Sequence, residues 1–135
     1  MRIVLLLLVL LTAAPGPALG ERLYGDAAAV VAAVRDGDTL TVDIAGWPAA
    51  AGQAVGVRLA GVDAPELRSK DPAERERALA ARSLTLSAAP PGTAIELRNI
   101  RRGKYFRFVA DVYVDGVNLS QRLLESGLAR VYDGR

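Results

Sequence analysis

One tight turn does most to limit what this chain can fold into. Arg35-Asp36-Gly37-Asp38 places a glycine, free to take positive φ, between polar neighbours. Just after it, Thr39-Leu40-Thr41-Val42-Asp43-Ile44 alternates polar and apolar, the period of a half-buried strand. Just before it, residues 28–34 are uniformly apolar and, read alone, suit a helix or a strand. A strand that follows a tight turn makes the preceding run a strand as well, so the three segments predict a β-hairpin.

The remaining punctuation extends that pattern. Residues 45–54 contain Gly46, Pro48 and Gly52 and read as a loop, with Trp47 expected to pack locally. Val55 to Val62 is a third strand, ended by Asp63-Ala64-Pro65-Glu66, because proline cannot donate to a ladder. Asp71-Pro72 opens a helix to about Ser87, with Asp71 at the N-cap and Pro72 at the first helical position. Its expected buried stripe is Ala73, Leu79, Ala80 and Leu84, with Glu74, Arg75, Glu76, Arg77 and Arg82 on a solvated face. Residues 94–100 and 106–114 are the fourth and fifth strands, and Asp115-Gly116 is a turn. Asn118 caps a short second helix, with Gln121 placed for a capping box and Gly127 at C′. Asn118-Leu119-Ser120 also spells a glycosylation acceptor, but the cap is the better reading. Three strands, a helix, two strands and a helix give a mainly β (α+β) fold: a five-stranded OB-type barrel with one inserted helix and a short C-terminal helix.

Composition narrows the chemistry. Arg2, the apolar run Ile3–Leu11, the breakers Pro15-Gly16-Pro17 and the small residues Ala18 and Gly20 lay out residues 1–20 as a signal peptide cleaved before Glu21. That run is too short to cross a bilayer core of ~30 Å. The expected mature domain is therefore 21–135, secreted or periplasmic, and free of the membrane. Cleavage removes only Arg2 from 17 basic and none of 15 acidic side chains, so net charge says little about partners. The 135 residues contain no cysteine and no histidine. Disulfides, Ser-His-Asp triads and His-ligated zinc are excluded. Hydrolytic chemistry is left to carboxylates, arginines and hydroxyls, with or without a hard metal ion.

Three segments put ionisable residues where strands should be apolar. They are Asp36-Gly37-Asp38-Thr39, Arg58 through Glu66, and Lys104-Tyr105-Phe106-Arg107. Arg58 and Asp63 taken alone read as an ordinary ion pair, and Glu66 as a surface residue. Taken together the segments supply what phosphodiester hydrolysis needs. Asp38 and Asp63, with a backbone carbonyl and waters, form an all-oxygen site suited to Ca²⁺ or Mg²⁺. Arg58 and Arg107 offer guanidinium donors that match phosphate oxygens, and Glu66 is left to direct water.

These segments, with Asp115-Gly116 and Gly127-Leu128-Ala129, resemble the thermonuclease (staphylococcal-nuclease-like) family over about residues 28–132. The resemblance implies an OB-type barrel that cleaves DNA and RNA with Ca²⁺, leaving 3′-phosphate ends. It implies Asp38, Asp63 and the main-chain carbonyl of Ala64 as calcium ligands. It implies Arg58 and Arg107 on the scissile phosphate, and Glu66 as general base or as the group that orients the attacking water. Tyr105 resembles a position near the nucleotide. Departures are Ala64 in place of a threonine, Phe106 where glycine is common, and only six residues after Ala129 where well-known members continue into another helix. Phe106 is expected to pack rather than to stack on a base, and the short end predicts lowered stability or activity, or a piece of a longer product.

Arg98, Arg101, Arg102, Lys104 and Arg107 form a run without an acidic residue, which would attract a phosphate backbone without reading sequence. Lys104 and Tyr105 are the candidate substrate contacts beyond the scissile phosphate, and the protein is expected to act as a monomer. The alternative reading is a non-catalytic OB module that binds nucleic acid or oligosaccharide. A third is an interaction domain in which the same charges form an ion-pair network.

Overall fold

The structure, a computed structural model, describes residues 23–133. The expected signal peptide lies outside the described residues. Strands β1 (Ala27–Asp36) and β2 (Thr39–Ile44) form the hairpin, followed by helix α1 (Ala49–Gly52) and strands β3 (Val55–Leu59) and β4 (Val62–Asp63). Helix α2 (Pro72–Ala88) precedes β5 (Ala94–Arg102) and β6 (Phe108–Val114), and β7 (Val117–Asn118), α3 (Leu119–Glu125) and β8 (Arg130–Val131) complete the order.

The main sheet runs β3-β2-β1-β5-β6-β7, antiparallel throughout, and β3 pairs again with β6 in parallel. That second pairing, Val57↔Phe108 to Leu59↔Ala110, closes β1, β2, β3, β5 and β6 into the expected barrel. Closure needs strong coiling, and β1 supplies it through register shifts at Val31/Ala33 and Val34/Asp36. A third shift lies between Arg98 and Arg101 of β5, beside Asn99 at φ +53. Inward residues of the strands fill the barrel: Leu40, Val42, Val57, Leu59, Leu97, Ile100 and Val112 are fully buried. Leu119 and Leu123 of α3 join the same core. Trp47 packs as expected, but against rings distant in sequence: edge-on to Phe108 with ring centroids 5.2 Å apart, beside Tyr24.

The details that depart from the sequence reading are long-range. Gly37 does not adopt positive φ. It is required because α2 crosses the hairpin turn so closely that a Cβ there would lie 2.7 Å from Ala81 Cβ. The buried stripe of α2 is accordingly Ala78, Ala81 and Thr85, whereas Ala73, Leu79 and Ala80 are exposed and Leu84 is half-buried. Thr85 Oγ1 donates to the Gly37 carbonyl at 2.6 Å. Arg82, assigned to the solvated face, instead caps the end of β1 by donating to the carbonyls of Val34 and Arg35. Residues 49–52 of the expected loop form a turn of helix without a side-chain cap. The third strand stops at Leu59, because Gly61 turns the chain at φ +77 before β4 begins. The fifth strand starts at Phe108 rather than residue 106. Asp71 and Asn118 do cap their helices. Gln121, however, bonds Glu125 in place of closing a box.

Candidate active site

The β1–β2 turn brings Asp38 to one end of the barrel. Its side chain is nearly buried, so it must be paired. Oδ1 accepts from Thr39 Oγ1 at 3.0 Å, and Oδ2 accepts from the Ala64 backbone N–H at 2.9 Å. These bonds tie the first polar segment to the second. The Leu59 N–H also donates to the Asp38 carbonyl, which fixes the end of β3 against the turn.

Arg58 sits between Val57 and Leu59, both fully buried, so alternation along β3 turns it to the outside of the barrel. Its Nη2 reaches Asp63 Oδ1 at 2.9 Å and Asp38 Oδ2 at 3.5 Å. Two carboxylates from different segments thus converge on one cationic nitrogen. The Tyr132 ring lies beside the same guanidinium, 5.2 Å from centroid to Cζ.

Asp63 is held on its other oxygen by Arg130, whose Nε and Nη2 both donate to Oδ2, at 3.0 and 2.7 Å. The β4–β8 pairing Asp63↔Arg130 places these residues opposite each other. Burial alone would push the Asp63 carboxyl up. Hydrogen bonds from Arg130 and Arg58, with their charges, outweigh it and hold the group below its ordinary value. The Arg130 guanidinium is raised in turn, first by its hydrogen bond to Asp63. Sequence reasoning missed Arg130 and Tyr132, since only the pairing of β4 with a strand 67 residues later brings them to the site.

Arg107 reaches the site because β3 is bare where it crosses. A Cβ on Gly56 would lie 3.1 Å from Arg107 Cγ, so the aliphatic stem lies directly over that glycine, on the face that also carries Arg58. Among the described residues no carboxylate pairs with Arg107; its Nε makes one long bond to the Lys104 carbonyl at 3.4 Å. Glu66, just past Pro65, is exposed and its carboxylate is engaged by no other described residue.

A single open cleft of about 840 Å³ is lined by Asp38, Arg58, Asp63, Ala64, Glu66 and Arg107, with Tyr105 at its side. The residues expected to bind the metal and the scissile phosphate therefore meet there. Lys104 does not line it; it lies in an adjoining groove that shares Arg58 and Arg107 and also contains Tyr132. Arg98 leaves the basic run, forming a two-bond pair with Glu96 and lying 4.1 Å from the Tyr113 ring centroid. Phe106 does not pack: it is 95% exposed.

The staphylococcal nuclease homologue family model matches residues 56–135, from β3 past the end of the described chain. The chain belongs to the staphylococcal nuclease homologue family. No curated protein matches it. The match to the staphylococcal nuclease homologues spans Arg58, Asp63, Ala64, Glu66, Lys104, Tyr105 and Arg107, while Asp38 lies upstream and reaches the cleft through the hairpin turn. Among the described residues no cluster of three or more Asp, Glu, His or Cys side chains is placed to hold a metal, so a cation here would rest on two carboxylates and main-chain or water oxygens.

Proposed function

We propose that this chain is an exported, Ca²⁺-dependent nuclease that hydrolyses phosphodiester bonds of DNA and RNA and leaves 3′-phosphate ends. One observation carries the reading: two aspartates, a glutamate engaged by no other described residue, and two arginines from three separate segments line the same open cleft. The basic residue Arg2 followed by the apolar run Ile3–Leu11 supports export.

The donor set suits a hard divalent cation. Asp38 Oδ2 and Asp63 Oδ1 flank a point now taken by the Arg58 guanidinium, and neither sulfur nor imidazole is nearby. Asp38, Asp63 and the Ala64 carbonyl would hold Ca²⁺, which when bound supplies Lewis-acid polarisation of a phosphoryl oxygen. The remaining work falls to the chain's own groups. Arg58, relieved of a carboxylate, and Arg107, which has none among the described residues, bind the non-bridging oxygens of the scissile phosphate and stabilise the charge that grows on them. Glu66, exposed and engaged by no other described residue, accepts a proton from the attacking water or orients it. Ala64 in place of threonine leaves the main-chain carbonyl intact as a ligand and withholds only a hydroxyl.

A nucleic-acid-binding module without catalysis is the second reading. The ion pairs that hold Asp63 from both sides favour it, because they satisfy that carboxylate without a metal. Digestion of single-stranded DNA with Ca²⁺, with Mg²⁺ and with chelator separates the two. The nuclease requires Ca²⁺-dependent cleavage that falls by about 10²–10⁴-fold in Glu66→Gln. A folded protein that binds the strand and never cuts it is the second reading.

A further inference from the structure

We infer that Tyr105 and Phe106 form a stacking finger that seizes an unpaired base beside the scissile phosphate, making this cleft selective for single strands. The inference rests on the nucleic-acid reading proposed above; Tyr105 is a substrate contact the sequence already suggests, and what is added is Phe106 and the unpaired base it takes.

Lys104 to Arg107 is a four-residue turn closed by the Arg107 N–H on the Lys104 carbonyl at 3.2 Å. Both central residues have positive φ, +56 at Tyr105 and +58 at Phe106. That is the I′ arrangement, which ordinarily takes asparagine and glycine. Two bulky aromatics there strain the backbone, and the strain is not repaid by packing, since Tyr105 is 83% and Phe106 95% exposed. The turn is nevertheless well anchored. The Gly103 N–H donates to the Arg107 carbonyl at 2.7 Å, and a Cβ on Gly103 would lie 2.9 Å from Val109 Cγ2. The two rings are therefore presented to solvent on a firm base.

Their surroundings choose the occupant. Tyr105 lines the cleft of Glu66, and the Arg107 guanidinium lies 5.7 Å from the Tyr105 ring centroid. Lys104 and Arg107 flank the rings with positive charge in the adjoining groove. Aromatic faces beside cations suit a polyanion that carries flat apolar groups, which is a nucleic-acid strand. A base in a duplex already has neighbours on both faces, whereas an unpaired base offers one to the protein. Arg107 would hold the phosphate while the finger takes the neighbouring base.

The test uses the Glu66→Gln protein with Ca²⁺ and measures affinity for an oligodeoxythymidylate strand and for a duplex of the same length. Adding Phe106→Ala should weaken single-strand binding by about 5- to 150-fold, the loss of one base–aromatic stack, and should leave duplex binding nearly unchanged. Phe106→Trp should restore single-strand binding, and its indole emission should be quenched on binding; Trp47, the only native tryptophan, sits in the Tyr24–Phe108 cluster. Phe106→Ala should melt no lower than the parent, because so little of the ring is buried. Equal single-strand affinity with and without the ring, or equal losses for strand and duplex, overturns the finger. Cleavage by the unaltered protein decides the nuclease reading separately. If Glu66→Gln binds neither DNA, the finger falls together with the nucleic-acid reading.

Discussion

Arg130 places two nitrogens on a single oxygen of Asp63, at 3.0 and 2.7 Å, while Arg58 takes the other oxygen at 2.9 Å. A carboxylate proposed to bind Ca²⁺ is thus already neutralised from both sides. Arg58 has phosphate to turn to; Arg130 is largely exposed and competes with the cation. Arg130→Ala should therefore bind Ca²⁺ more tightly in calorimetry of the substrate-free protein, with the gain shrinking at high salt. Weaker Ca²⁺ binding by this variant would mean that Arg130 positions Asp63 rather than opposing its ligand.

The same clasp sets a pH dependence in chelator. The folded Asp63 carboxyl titrates below its ordinary value of 3.8. Its contribution to stability is therefore complete above that pH and is lost as pH falls through the lower folded value. Denaturant melts should show Arg130→Ala less stable than the parent by a constant margin at neutral pH, with the two curves converging in strong acid. A margin that widens as pH falls below 3.8 would contradict the assignment.

Gly56 and Gly37 should respond differently to alanine. At Gly56 the new Cβ meets the flexible stem of Arg107 at 3.1 Å, which can move. Gly56→Ala should keep nearly the parent melting temperature and lose activity, because Arg107 is displaced from the phosphate. At Gly37 the Cβ meets Ala81 Cβ at 2.7 Å and Ala64 Cβ at 3.2 Å, neither of which can yield without moving its backbone. Gly37→Ala should cost about 1–3 kcal/mol in stability, read by denaturant unfolding.

Thr85 tests the seat of α2. Its buried hydroxyl satisfies the Gly37 carbonyl, so Thr85→Val should destabilise by about 1–3 kcal/mol through the unsatisfied acceptor. An unchanged unfolding midpoint would show that water replaces the hydroxyl there.

Local chemistry was legible in the sequence, and relations across the chain were not. Alternation in Thr39–Ile44, the Asp71-Pro72 helix start and the Asn118 cap each depend on neighbours within a few residues, and each is where the pattern puts it. The Asp38–Arg58–Asp63 grouping was legible through motif order. The face of α2 was not, because it is set by the close approach of Ala81 to Gly37 rather than by hydrophobicity, leaving Leu79 57% exposed. Arg130 and Gly56 were missed for the same reason: one enters through a two-residue strand pair, the other by lacking a side chain where Arg107 must lie. Phe106 was misjudged because a phenylalanine ordinarily packs, and nothing in the sequence marks a turn that forces its ring outward.

The central claim is that this cleft hydrolyses a phosphodiester rather than merely holding one. It is tested most directly by incubating a 5′-labelled single strand with the unaltered protein and Ca²⁺, beside Arg107→Ala, and identifying the new ends. The account predicts products ending in 3′-phosphate from the unaltered protein, and a rate about 10²–10³-fold lower without the Arg107 guanidinium. An intact strand recovered from a folded protein that has bound it, or equal rates from both proteins, would contradict the account.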